Sequence, residues 1–162
     1  MAETLTAPLT PAGAAAPAFD PDRFRQTTRA QWEAAAAAWD RWSPLLAEWL
    51  GNATETMLDM ARVRPGSRVL DIAAGAGEQT ITAARRAGPG GHVLATDISP
   101  AILSYALAAA RRAGLSNVET RELDGERHDL LPAGSFDAAI SRVGLIYFPD
   151  QKRALTGIRH PL

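Results

Sequence analysis

Cysteine is absent from the 162 residues, which excludes disulfides, thiolate metal sites and a cysteine nucleophile together. Histidine is scarce. His92, His128 and His160 are far apart and form no metal-ligand spacing such as H-x-x-x-H, so each reads as a surface or loop residue and no metal is expected. No segment reaches the roughly 18 apolar residues that a membrane span requires. Neither sign of charge dominates: 17 Lys and Arg stand against 18 Asp and Glu, and the basic residues form no stripe. A nucleic-acid surface is therefore disfavoured and a small-molecule partner expected. The missing cysteines agree with a reducing cytoplasm, the location expected.

What is present suffices for one compact domain with a real core, since 46% of the residues are hydrophobic. Residues 1–20, "MAETLTAPLTPAGAAAPAFD", lack a basic start and a continuous apolar run. They read as a disordered tail, not a signal peptide. Asp20-Pro21 has the form of a helix cap followed by proline at the first helical position, and five consecutive alanines follow at 34–38. Ser43-Pro44 repeats that signal and predicts a second helix, continuing in pieces to Ala61, so 21–64 is expected to be a helical cap. Trp32, Trp39, Trp42 and Trp49 all fall here and are expected to staple these helices to the main domain, the alternative being a lining for a ligand mouth.

From residue 65 short apolar runs alternate with helical stretches, the signature of βαβ units. Strands are predicted over 68–72, 92–96, 117–122 and 136–141. Helices are predicted over 78–87, 100–113 and 150–159, the second opened by Ser99-Pro100 and closed by Gly114. The fold class is α/β, a Rossmann-like doubly wound, mostly parallel sheet.

The stretch "VLDIAAGAGEQT", residues 69–80, runs from the first strand into a turn where Gly75 and Gly77 let a ligand approach the backbone at a helix N-terminus. A dinucleotide fingerprint would place a third glycine where Thr80 stands. Asp71 would moreover repel a pyrophosphate, whereas it suits a ligand carrying ammonium and sulfonium groups beside a nucleoside, without phosphate: S-adenosylmethionine. Asp97, twenty residues after Gly77, can accept both ribose hydroxyls from the end of the second strand, or serve as a helix-cap acid. Ile98 would lie against the adenine. In "LDGE", Asp124 would accept the exocyclic amine and the Gly125 N–H would meet a ring nitrogen, although Asp-Gly is also a common turn. Beyond the fourth strand, Ser141 and Arg142 would border the reacting centre, and Tyr147 and Phe148 would anchor the following helix, the alternative being a hydrophobic wall.

With these four stretches in order, residues 30–159 resemble the class I S-adenosylmethionine-dependent methyltransferases, closest to the small-molecule branch with the UbiE-like quinone C-methyltransferases. The family motif D-x-G-x-G-x-G matches at Asp71, Gly75 and Gly77, with Ala73 in place of its first glycine. The resemblance implies that Ala73, Ala76, Asp97, Asp124, Gly125 and Arg142 also fall where such enzymes contact the cofactor. It implies a seven-stranded sheet in the order 3-2-1-4-5-7-6, of which this chain supplies strands one to four. Residues 65–162 are accordingly expected to form a C-terminally shortened S-adenosylmethionine-binding domain whose fourth strand is a bare edge, open to a second copy or a completing chain. The expected activity is methyl transfer to a small acceptor by in-line displacement. No residue stands out as a general base, so none is assigned as catalytic. The alternatives are a cofactor-binding fragment that transfers nothing and, less favoured, a nicotinamide-dependent oxidoreductase.

Overall fold

The computed structural model describes residues 18–162; most of the stretch read as a tail lies outside the described residues. The first element is a single helix, α1 (Pro21–Met60), capped by Asp20 Oδ1, which accepts the N–H groups of Asp22 at 3.0 Å and Arg23 at 3.1 Å. The break expected at Ser43-Pro44 does not occur. An interior proline costs a helix about 3 kcal/mol, but both halves of α1 are held by the rest of the chain. Ala36 is buried against Ala76 and Ile102 in the first half, and Leu58 is fully buried in the main core in the second. Ser43 Oγ also lies 2.5 Å from Glu78 Oε1 at the start of the next helix.

The remainder alternates as β1 (Arg68–Ile72), α2 (Glu78–Ala87), β2 (His92–Asp97), α3 (Pro100–Arg112), β3 (Val118–Glu122), β4 (Ala138–Ile140) and α4 (Gln151–Ile158). Ser99 caps α3, its hydroxyl accepting the Ile102 N–H at 3.2 Å. The four strands form one parallel sheet in the order β3-β2-β1-β4, with Val69 in register with Val93 and Ala138. β1, from which the chain builds outward to β2 and β3 on one side and returns to add β4 on the other, therefore lies inside the sheet, and ligands of open α/β sheets bind beyond the carboxyl ends of the strands at such a switch point.

Because side chains alternate along a strand, β1 serves two cores. Val69 packs with Val93, Ala83, Ala84, Leu58 and Ile140 on the α2 side. Leu70 and Ile72 pack with Leu94, Leu131, Phe136 and Ile158 on the α4 side. Asp71 shares the alternation of Val69, which turns its side chain toward α2.

Two expectations about polar and aromatic residues fail. His128 is fully buried, not a surface or loop residue. Its Nδ1 is 3.0 Å from the Gly125 carbonyl and its Nε2 3.1 Å from Thr96 Oγ1; since a carbonyl only accepts, Nδ1 carries a proton. Burial lowers the His128 pKa, opposed by the Gly125 hydrogen bond. Nor do the four tryptophans act alike: Trp42 and Trp49 are 55% and 75% exposed on the outer face of α1, while Trp32 and Trp39 line an internal cleft.

Candidate functional site

The cleft lies beyond the carboxyl ends of β1, β2, β3 and β4, roofed by the first half of α1. It encloses about 780 Å³ between its walls, open mouth included. Seven of the ten residues singled out from the sequence line it: Ala73, Gly75, Asp97, Ile98, Asp124, Gly125 and Arg142. Asp71, Ala76 and Gly77 are not among the lining residues.

The glycine turn explains that division. Gly75 adopts φ +60°, and a Cβ added to it would stand 3.3 Å from Trp39 Nε1. Gly77 adopts φ +97°, and its missing Cβ faces Ala106 on α3 at 3.0 Å, so this glycine permits helix packing rather than ligand approach. Ala76 is buried against Ala36 and Ile102. Ala73 takes φ +55° without being glycine; its Cβ fills the space beside Gly144, where a second Cβ would clash.

Asp71 does not present a charge to the cleft. It is fully buried, with Oδ1 accepting from Gln79 Nε2 at 2.6 Å and Oδ2 from the Thr80 hydroxyl at 2.5 Å. Burial pushes its pKa up to about 7, against the opposing hydrogen bonds from Thr80 and Gln79. The expectation that this acid faces a ligand cation is corrected by the strand pleat, which aims it sideways into α2. Thr80, at the position where a dinucleotide fingerprint would have glycine, is there as its partner.

Asp97 is the acid that faces the cleft. Its Oδ2 accepts the Gly75 N–H at 3.1 Å and its Oδ1 the Ser99 N–H at 3.0 Å, bracing the glycine turn against the start of α3. Burial raises its pKa, with those backbone donors opposing. Each carboxylate oxygen retains acceptor capacity, and Ile98 forms the adjoining apolar wall.

Asp124 is engaged on both sides: Oδ1 accepts the Glu126 N–H at 2.9 Å, and Oδ2 lies 3.3 Å from Arg25 Nε on α1. Arg25 also reaches Glu126 Oε2 at 3.3 Å, and Glu126 Oε1 accepts the Asp150 N–H at 2.8 Å. The roof helix, the turn after β3 and the start of α4 thus share one polar junction. Gly125 packs under the Phe148 ring, which occupies the place of a Cβ. Arg142 turns toward α1 and α2, donating to Thr54 Oγ1 at 2.8 Å and pairing with Glu78 Oε2 at 3.4 Å.

Sequence reasoning gives the roof tryptophans a ligand-lining role only as the lesser alternative, and misses Arg25 and Thr28. Arg25, Thr28, Trp32 and Trp39 line the cleft from α1, and their spacing of three, four and seven residues is one helical stripe, a signal legible in advance. Tyr147 and Phe148, for which the sequence favours helix anchoring over a hydrophobic wall, line the cleft, with Val143 and Gly144. Ser141 Oγ is buried without a hydrogen-bond partner, beside Gly144. Among the described residues no group of three or more His, Asp or Glu is placed to hold a metal ion, and no helix is long and apolar enough to cross a membrane.

A parallel 3-2-1-4 sheet with a glycine turn after β1 and an acid at the end of β2 defines a Rossmann-like α/β protein with a cleft at the carboxyl ends of its strands. Residues 69–162 match the family described as "Methyltransferase domain", and the chain belongs to that family. It is 36% identical over 103 residues to nocamycin O-methyltransferase of Saccharothrix syringae, covering 64% of this chain and 36% of that protein. It is 31% identical over 131 residues to aklanonic acid methyltransferase DauC of Streptomyces sp. (strain C5), covering 81% of this chain and 57% of the relative. Among solved structures, a SAM-dependent methyltransferase from Aquifex aeolicus superposes with a TM-score of 0.62 at 20% identity, covering 88% of this chain and 67% of that one. The chain spans between about a third and just over half of the two curated relatives' length.

Proposed function

We propose that the cleft binds S-adenosylmethionine and that the protein transfers its methyl group to a small-molecule acceptor. The observation that carries this is Asp97: a carboxylate at the end of β2, braced by two backbone N–H groups beside the glycine turn, with spare acceptor capacity toward an apolar wall. A ribose diol needs such an acceptor and adenine needs such a wall. Asp97 would hold the hydroxyls, Ile98 and Leu123 would flank the base, and Asp124 would share its carboxylate between Arg25 and the exocyclic amine. Ser141 Oγ, buried and unpartnered beside Gly144, suits a polar group at the other end of the ligand. The cofactor, when bound, brings an activated methyl carbon on a sulfonium.

What the chain's own residues add is enclosure and alignment. The roof stripe of α1 and the turn after β4 flank the cleft, and Arg142, tied to Thr54 and Glu78, fixes that turn against α1 and α2. Such positioning can supply several powers of ten in rate. An acceptor such as a phenolate or stabilised carbanion needs little proton removal at the transfer step. Names of the two curated relatives support a small-molecule acceptor.

Calorimetric titration of the chain with S-adenosylmethionine and S-adenosylhomocysteine tests the reading. Saturable one-to-one binding, absent with NAD, is expected. Binding of NAD in preference to both would overturn it.

A further inference from the structure

With Asp71 turned into α2, the positive pole of the proposed cofactor has lost its expected carboxylate. The acids lining the cleft are Asp97 and Asp124, both at the ends of β2 and β3 where the nucleoside would sit, and two guanidinium groups, Arg25 and Arg142, share the walls. The other end, between the glycine turn of β1 and the turn after β4, is aromatic. Trp39 stands against Gly75, Tyr147 follows β4, and Trp32 links them. Its ring centroid is 5.2 Å from that of Trp39 at 83° and 5.2 Å from that of Tyr147 at 89°.

A T-shaped pair covers at most one face of one ring. Two such pairs therefore leave at least four of the trio's six ring faces unstacked within it. All three residues line the cleft, Tyr147 being 36% exposed at its mouth. A π-face carries negative potential and attracts a cation, most strongly where water is excluded. A sulfonium is a soft, weakly hydrated cation that makes no hydrogen bond of its own, so a ring face serves it where a carboxylate would bring a desolvation cost.

We propose that Trp32, Trp39 and Tyr147 form the cation-recognition element of the cleft and set its preference for a sulfonium over a neutral thioether. This rests on the reading that the cleft holds S-adenosylmethionine. The consequence for turnover is that this part of the donor's binding energy is lost when the sulfonium becomes a neutral thioether.

The test compares two ligands of nearly the same shape. Isothermal titration of the wild type, Trp39→Leu, Tyr147→Leu and Tyr147→Phe with S-adenosylmethionine and with S-adenosylhomocysteine gives the affinity ratio for each protein. Trp39→Leu and Tyr147→Leu should each lower the ratio about three- to tenfold, and Tyr147→Phe, which keeps the ring, should preserve it. A general packing defect weakens both ligands alike and leaves the ratio unchanged, so an unchanged ratio in both leucine variants overturns the aromatic element alone. Failure of the wild type to bind either ligand overturns the cofactor reading and this inference with it.

Discussion

The Thr80 hydroxyl donates to Asp71 Oδ2 at 2.5 Å, joining the middle of β1 to the first turn of α2. Gln79 closes on the other oxygen, so the acid that begins the glycine motif is a fastening between strand and helix. Its charge is directed to the α/β packing and not to the cleft.

That placement fixes a pH dependence. Burial raises the Asp71 pKa from 3.8 to about 7 in the folded protein. Between those values the folded state binds a proton that the unfolded state has released. Stability from this group is therefore complete below pH 4 and is lost as pH rises through 7, at up to about 1.4 kcal/mol per pH unit. Asp71→Asn has no such proton. The melting temperature of Asp71→Asn relative to wild type should climb from pH 4 to pH 7 and level off above; a flat difference would show that Asp71 is already ionised throughout.

Asp97→Ala removes the one cleft acid whose two oxygens are both held by backbone donors. Two charge-assisted hydrogen bonds to a ribose would be lost, each worth about 1.5–3 kcal/mol, so affinity for S-adenosylmethionine should fall at least roughly tenfold by calorimetry. Adenine alone, which has no diol, should bind wild type and variant alike. Equal losses for both ligands would mean that the glycine turn, no longer braced through the Gly75 N–H, has moved.

The strands and most helix starts were legible because their causes are local. Apolar runs bounded by turn residues marked β1, β2 and β4, the alternation of elements marked the mostly polar β3, and Asp20-Pro21 and Ser99-Pro100 marked the openings of α1 and α3. Ser43-Pro44 carries the same local signal and misleads, because contacts of Ala36 and Leu58 with distant residues keep α1 continuous. The site divides the same way. Asp97, Ile98 and Asp124 follow strand ends, so their place at the cleft follows from topology. Asp71 lies within β1, where the pleat decides its direction, and reading it as a cleft acid ignored the parity it shares with Val69. The roof depended on where α1 crosses the sheet, a tertiary fact with no local signature beyond the stripe of Arg25, Thr28, Trp32 and Trp39.

Arg142 and Glu78 test how the turn after β4 is held. Their side chains are 11% and 5% exposed, and they pair at 3.4 Å. Arg142→Met strands a largely buried carboxylate with the Ser43 hydroxyl as its nearby donor, and breaking such pairs costs about 3–5 kcal/mol. Adding Glu78→Gln should recover most of the loss, because the remaining group is then neutral. Denaturant midpoints of the two single variants and the double variant measure this, and a double variant no more stable than Arg142→Met would show that Glu78 is satisfied without its cation.

Gly125 offers the sharpest steric forecast. The Phe148 ring occupies the place of its Cβ, so Gly125→Ala forces the ring out of its seat between the cleft and the core that includes Leu131 and Ile158. Overpacking of this kind costs about 1–3 kcal/mol. The Gly125 carbonyl also holds His128 Nδ1 at 3.0 Å, so displacement of the backbone would be felt at a fully buried imidazole. Phe148→Leu costs stability by itself through the cavity it leaves, yet combined with Gly125→Ala it should cost less than the sum of the two, because the added methyl then enters vacated space. Thermal unfolding of the two singles and the double gives the coupling directly. Strict additivity would mean that the ring yields freely and that glycine at 125 serves the backbone alone.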